Sequence, residues 1–406
     1  MKKTTASPKY IIIGQGAAGA AAANEIKQLE NEAVVTMISN EHEGFYSRID
    51  LPDIISGKRE TQDALLQTPA QFQDKGIDCL TGEQAIRISP DDHSVELTAG
   101  QRLYYDKLLL ATGARPVLPR LPGMEATGVF SLWTIEQAKD ILLAAAGAKA
   151  AVVIGAGLIG IKAALALHQR GLRVTILEQL DRVLPQQLDE AGAEILAAAI
   201  RAGGVELLTS TRMEAVETSG GRVTGVHAGS RLIACDMIVC AIGVRPDTEL
   251  ARTAGLALGA GIVTDQFLQT SQADIYAAGD AAEVIDVFGQ QMMSAGWPAA
   301  VEQGIIAARN MAGVQTRYPG YLTQNSVEIA GIPLVSAGTI YARDGEEILS
   351  RQDGNTYRKL VLANNRLKGF LLMGDIRQAG VLAGVLTRQQ PIVPGNSFHY
   401  AKLLEL

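Results

Sequence analysis

Two stretches of this 406-residue chain share one grammar. Residues 10–26 read YIIIGQGAAGAAAANEI, and residues 152–179 read VVIGAGLIGIKAALALHQRGLRVTILEQ. Each is a short apolar run, then glycines spaced G-x-G-x-x-G, then an alanine-rich run. That is the pattern of a buried parallel strand entering a helix through a turn tight enough to admit a pyrophosphate. One dinucleotide needs one such turn, so a chain with two is constrained to an α/β fold built on two Rossmann-like halves.

In the first turn, Gly14 allows the sharp bend, Gly16 removes the side chain that would block a pyrophosphate, and Gly19 lets the helix pack close to the strand. The pattern predicts a helix over 17–30, with the N–H groups of its first turn, at Ala17 and Ala18, aimed at the phosphates. AVVTMIS then forms a second strand. The ribose-binding acid that often ends such a strand is replaced by Ser39, with Asn40 and Glu41 just beyond. Ser39 can still bond a hydroxyl; Glu41 either reaches the same ribose or is an exposed loop charge.

In the second turn, Gly155, Gly157 and Gly160 repeat the three roles, and Leu158 and Ile159 open the helix. Here the acid is in place: Glu178 ends the strand LRVTILE. A carboxylate accepts the hydrogen bonds of an adenosine ribose and repels a 2′-phosphate, which favours NAD over NADP. Arg173 and Arg182 are the cations that would argue for NADP, unless they are surface charges.

The rest of the composition excludes several classes. A net charge of -7 and the absence of a basic tract argue against nucleic acid. No apolar run approaches the ~20 residues of a membrane span, and no secretory signal is visible. The three cysteines, Cys79, Cys235 and Cys240, form no C-x-x-C, which fits a reducing compartment, the cytoplasm. The histidines are scattered, and no metal site is expected.

Four further segments lie between and after the turns: YDKLLLATGARP (105–116), DMIVCAIGVRPD (236–247), TSQADIYAAGDAAEV (270–284) and GWPAAVEQGIIAARNMAG (296–313). Together with the two turns they resemble the FAD-dependent pyridine-nucleotide oxidoreductases of the glutathione-reductase structural superfamily. The resemblance implies FAD at the first turn and NAD(H) at the second. It implies that Asp280, after Gly279, bonds the flavin ribityl chain, although such an aspartate can also be a turn or N-cap residue. Ala111, Thr112 and Gly113 would line the FAD site where the chain leaves for the nicotinamide domain, and Gly243 would do so on the return. Ala85 would touch the adenine through its backbone. A helix beginning near Pro298 would point its positive end at the flavin.

The disulfide branch of that superfamily carries a C-x-x-x-x-C or C-x-x-C relay, and neither is present. The three cysteines read as core residues, with Cys235 and Cys240 on opposite faces of one strand. FYSRIDLP (45–52) instead resembles the Y-x-[RK]-x-x-L segment of rubredoxin-, ferredoxin- and nitrite-reductase flavoproteins. That places Arg48 beside the isoalloxazine ring, unless it is a surface arginine. Lys162 stands where the family commonly has glutamate. It is a nicotinamide contact, a partner for an acid on the FAD side, or an exposed helix residue. YRKLVLANNRLKGFLLMGDIRQAGVLAGVL (357–386) reads as strand, Asn-Asn turn, strand and helix, similar to the small C-terminal module of the same branch. His399 lacks a catalytic context.

These readings set the expected organisation: an FAD-binding domain at 1–113 and 244–322, an NAD(H)-binding domain at 114–243, and a small α+β interface domain at 323–406. The implied activity is hydride exchange between NAD(H) and FAD, then electron exchange with an external redox protein or iron–sulfur subunit. The partner would be rubredoxin, ferredoxin, or a complex of the aldehyde oxidoreductase or phenylglyoxylate dehydrogenase type, and the chain either a homo-oligomer or part of a hetero-complex. The alternatives are an NADH oxidase or nitrite-type reductase acting on a small acceptor, and a non-catalytic FAD-binding protein.

Overall fold

A computed structural model describes residues 7–389 and Pro391. The chain forms two compact units. The first gathers the residues up to Ser47, Gln62–Arg115 and Val244–Tyr321; the second gathers Arg48–Thr61, Pro116–Gly243 and the chain from Leu322 on.

The first unit is built on a five-stranded sheet in the order Ile275–Ala277, Lys107–Leu110, Lys9–Ile13, Val34–Ser39, Ile77–Thr81, every pair parallel. The glycine-turn strand Lys9–Ile13 is central, so its apolar run is covered on both faces, and Ile12, Leu108, Leu109 and Met37 are fully buried. Each such side chain contributes about 1.5–3 kcal/mol over exposure. The alanine-rich helix Ala17–Leu29 packs along the helix Trp297–Met311. Its buried Ala18, Ala20, Ala22 and Ala23 leave room for that approach.

The second unit repeats the plan. Its parallel sheet runs Val129–Ser131, Met237–Cys240, Ala150–Ile154, Arg173–Leu177, Glu206–Leu208, again with the glycine-turn strand at the centre. The short helix Leu51–Ser56 packs against the helices Ile135–Ala145 and Leu158–Gln169, and Arg170 donates to the Ile55 carbonyl at 3.2 Å. These contacts place the segment 48–61 in this unit.

The chain then forms an antiparallel sheet in the order Gln324–Ile329, Ile332–Gly338, Arg366–Met373, Thr356–Ala363, Glu347–Asp353, backed by the helix Ala379–Arg388. The expected Asn364–Asn365 turn joins two of its strands, with both residues at positive φ, 49° and 57°. That is the conformation a two-residue hairpin of the I′ type requires. Strand Thr356–Ala363 is buried along nearly its whole length. Leu360 and Leu362 face an apolar cluster with Leu382 and Leu386 of the helix, while Tyr357 and Lys359 point the other way and bond Asp189. The C-terminal sheet and the second glycine-turn sheet therefore share one unit. His399 lies outside the described residues.

Candidate functional site

Both glycine turns have the same construction. The N–H of Gly14 donates to Ile38 at 2.8 Å, and that of Gly155 donates to Leu177 at 2.8 Å. Each turn is thereby tied to the neighbouring strand. A Cβ on Gly14 would stand 2.0 Å from the Ala111 carbonyl oxygen; one on Gly155 would stand 2.5 Å from that of Ala241. A Cβ on Gly19 would meet Gly14 O at 1.9 Å, and one on Gly160 would meet Gly155 O at 2.1 Å. The middle glycines differ: around a Cβ on Gly16 or Gly157 there is nothing within 4 Å. The outer glycines are required by packing, and the middle ones border open space that a side chain would fill.

The helices that follow, Ala17–Leu29 and Leu158–Gln169, start at Gly16 and Gly157, and neither has a side-chain cap. Their first N–H groups are left for an anion. At the first turn, Gln15 is buried, and neither polar atom of its amide has a partner among the described residues. A buried amide is costly without a partner, and a bound polar ligand would supply one. The two turns fit two dinucleotides.

At the end of the second strand in the first unit, the Ser39 hydroxyl accepts the Glu41 N–H at 3.1 Å, and the Glu41 carboxylate accepts the Tyr46 hydroxyl. Asn40 is exposed. In the second unit, Glu178 is buried, with Oε2 accepting the Ala156 N–H at 2.7 Å and Oε1 the Leu180 N–H at 2.8 Å. Arg173 begins the strand that Glu178 follows, some ~16 Å away at strand rise, too far to meet a phosphate beside that acid. Arg182 is held by Asp181, 2.9 Å from each carboxylate oxygen, and by the Tyr341 hydroxyl at 3.2 Å.

The remaining residues implied in flavin binding fall as follows. Ala85 begins the strand Ala85–Ser89 and is buried. Ala111 follows the strand Lys107–Leu110; the Thr112 hydroxyl donates to the Asp247 carbonyl at 2.6 Å, and the Gly113 carbonyl accepts the Asp247 N–H at 2.9 Å. Gly243 has φ 111° with open space around its Cβ position. Gly279 and Asp280 form a 3-10 turn. Asp280 accepts the Gly296 N–H at 3.4 Å, just ahead of the helix that starts at Trp297 with Pro298 in its first turn.

Arg48 belongs to the second unit, where its guanidinium donates to the Trp133 carbonyl and lies 5.4 Å from the centre of the Trp133 ring. Lys162 is half-buried on the helix Leu158–Gln169.

Several participants were not found from the sequence. Gln303 is fully buried; its carbonyl oxygen accepts the Gly279 N–H at 2.8 Å, and its amide donates to Ser294 at 2.8 Å and Tyr318 at 3.2 Å. It fixes the turn that carries Asp280. A lone glutamine in an alanine-rich helix face was the available signal. Ala241, the counterpart of Ala111, was also missed. Trp297 stacks on Phe45 with ring centres 5.2 Å apart, a pair distant in sequence.

Burial favours the protonated form of all three thiols. Burial pushes Cys79 up to about 11 and both Cys235 and Cys240 up to about 12, with Asp78 and Asp236 adding repulsion at the first two. Cys235 precedes the strand Met237–Cys240 instead of lying on it, and both cysteines join one apolar cluster rather than opposite faces. The described residues contain no cluster of His, Cys, Asp and Glu able to hold a metal, and no helix long and apolar enough to cross a membrane.

Two uncapped glycine turns on two parallel sheets, each with a free space at its middle glycine, define a protein built to hold two dinucleotides. The chain belongs to the pyridine nucleotide-disulphide oxidoreductase family, which it matches over residues 8–304. Residues 324–390 match the rubredoxin NAD+ reductase C-terminal domain. The chain is 34% identical over 340 residues to an NADH oxidase of Methanocaldococcus jannaschii, covering 81% of this chain and 76% of the relative. It is 30% identical over 403 residues to the NADH-dependent phenylglyoxylate dehydrogenase subunit epsilon of Aromatoleum evansii, covering 98% and 96%. Among solved structures, a ferredoxin reductase from Rhodopseudomonas palustris superposes with TM-score 0.89 at 25% identity, covering 98% of this chain and all (100%) of the other.

Proposed function

We propose that the chain is an NAD(H)-dependent flavoprotein that exchanges electrons with a separate iron–sulfur protein or subunit. The single observation that carries this is the pair of open glycine turns combined with thiols buried and held protonated. Two dinucleotides are accommodated and the thiols offer no relay, which supports transfer of electrons to an acceptor outside the chain. In this reading residues 1–113 with 244–322 hold FAD, residues 114–243 hold NAD(H), and residues 323–406 form an interface module.

When bound, the nicotinamide supplies hydride and the flavin converts between two-electron and one-electron chemistry. The chain's own residues bind and orient. The N-termini of the helices Ala17–Leu29 and Leu158–Gln169 face the two pyrophosphates, with Gly16 and Gly157 giving close approach. Ser39 and Glu41 serve one ribose and Glu178 the other. Asp280, set by Gln303, holds the ribityl chain. The N-terminal end of the helix from Trp297 would favour negative charge on the reduced flavin. Lys162 contacts the nicotinamide side.

The partner is of the rubredoxin or ferredoxin type, or an iron–sulfur subunit of a larger dehydrogenase complex; likeness to the phenylglyoxylate dehydrogenase subunit across almost its full length supports the latter. Free cysteines without pattern suit the cytoplasm. A second reading, direct oxidation of NADH by oxygen, is favoured by the likeness to an NADH oxidase. The test is stopped-flow mixing with NADH, followed by addition of a ferredoxin or of oxygen alone. Bleaching of bound flavin followed by fast reoxidation only with the iron–sulfur protein supports the proposal. Equally fast turnover on oxygen selects the second reading, and flavin that never bleaches removes both.

A further inference from the structure

The loop between Glu178 and the helix Glu190–Ala202 is fastened on two sides. On the side of the glycine turn, Ala156 is the shared post: its N–H donates to Glu178, and its carbonyl accepts the Leu184 N–H at 3.0 Å. Leu184 is fully buried yet holds a left-handed backbone, φ 46°, directly before Pro185. A branched residue keeps that conformation only where its surroundings enforce it.

On the other side, the contacts come from the C-terminal module: Tyr341 from the segment after the strand Ile332–Gly338, and Tyr357 and Lys359 from the strand Thr356–Ala363. The Tyr341 hydroxyl lies 2.7 Å from the Pro185 carbonyl and 2.8 Å from that of Leu188, and it accepts from Arg182. Asp189, which caps the next helix through Gly192 N–H, accepts from Lys359 at 2.7 Å and Tyr357 at 2.8 Å. Lys359 is 5% exposed, and its ammonium lies 5.9 Å from the Tyr341 ring centre. Burying a lysine is costly unless it is paired and geometrically fixed, so this bridge is a specific device and not a casual surface contact.

We infer that Tyr341 and Lys359 of the C-terminal module are positioning residues for the nicotinamide dinucleotide: they hold the loop 179–189, and through Leu184, Ala156 and Glu178 they hold the ribose acid and the second glycine turn in register. The C-terminal module then sets coenzyme affinity in addition to any role toward a partner. The inference rests on the reading that the second turn holds NAD(H). Neither residue touches the reacting atoms, so the effect falls on KM and leaves chemistry alone.

The experiment uses the full-length, flavin-loaded protein with NADH and ferricyanide. Tyr341→Phe and Lys359→Met should each raise KM for NADH about three- to tenfold, the scale of one or two lost hydrogen bonds, with kcat and flavin content unchanged. Lys359→Arg, which keeps the pair with Asp189, should restore KM. Should Lys359→Met fail to fold, Tyr341→Phe carries the test, because Tyr341 is 41% exposed and its ring is retained. An unchanged KM in Tyr341→Phe overturns the inference if Gly157→Val raises KM sharply. If Gly157→Val also leaves KM unchanged, the assignment of the second turn falls and the inference falls with it. A loss of kcat or flavin in Tyr341→Phe at constant KM also overturns it.

Discussion

The Glu178 carboxylate accepts the backbone N–H of Ala156 at 2.7 Å, across the mouth of the second glycine turn. The acid that the sequence offers for a ribose is thus already oriented by the loop that would receive the pyrophosphate. Each carboxylate oxygen keeps a lone pair beyond the one N–H it accepts, so the same group can still meet ribose hydroxyls.

Replacing Glu178 tests that orientation. Glu178→Gln leaves an amide where two N–H donors need acceptors, and one of them loses its partner. NADH binding should weaken by about 1.5–3 kcal/mol, the worth of a hydrogen bond to a charged group. Glu178→Arg should weaken NADH further and improve NADPH. Titration of each coenzyme against flavin bleaching measures both, and unchanged selectivity would remove Glu178 from the ribose site.

Gly157→Val should abolish NADH binding while the protein stays folded and yellow, because the space around that Cβ position is free of protein atoms. Flavin absorbance and circular dichroism check the second half of the expectation. Loss of flavin instead would reverse the assignment of the two turns.

Gly14→Ala and Gly16→Ala should part company. The first forces a Cβ to 2.0 Å from a backbone oxygen at φ +113°, so it should unfold the turn, at a cost of several (~4) kcal/mol in thermal melts. The second meets nothing, so the apoprotein should melt near the wild-type temperature while flavin affinity falls.

The cysteines supply a pH dependence. Cys240 is raised from the ordinary 9.0 to about 12 by burial, so between those values the unfolded chain loses a proton that the native chain keeps. Stability should therefore fall as pH rises above about 9, by about 1.4 kcal/mol per pH unit for this thiol, and Cys235 acts in the same sense. Cys235→Ser and Cys240→Ser should both turn over NADH. An activity loss in either, with the fold intact, would restore a sulfur relay to the mechanism.

The construction of the two glycine turns was legible because it is local. A strand, three glycines and a helix lie within 20 or so residues, and their spacing encodes both the turn and its opening. The helix predicted over 17–30 is Ala17–Leu29, and the Asn364–Asn365 turn joins two antiparallel strands as expected. What escaped depends on partners far along the chain. Lys359 is buried against Asp189, 170 residues earlier, a pairing that no local pattern carries. Arg48 directly follows Ser47 of the first unit, yet it belongs to the second, where its contact, Trp133, lies 85 residues further along the chain. The Ala111 and Ala241 carbonyls that make Gly14 and Gly155 obligatory are set by strand order, which no local pattern encodes.

Keeping all three sulfurs in the neutral form also bears on how the molecule tolerates its surroundings. Peroxide and alkylating agents attack the anion, and near neutral pH almost none is present here. Oxidation of these three side chains is accordingly disfavoured at neutral pH.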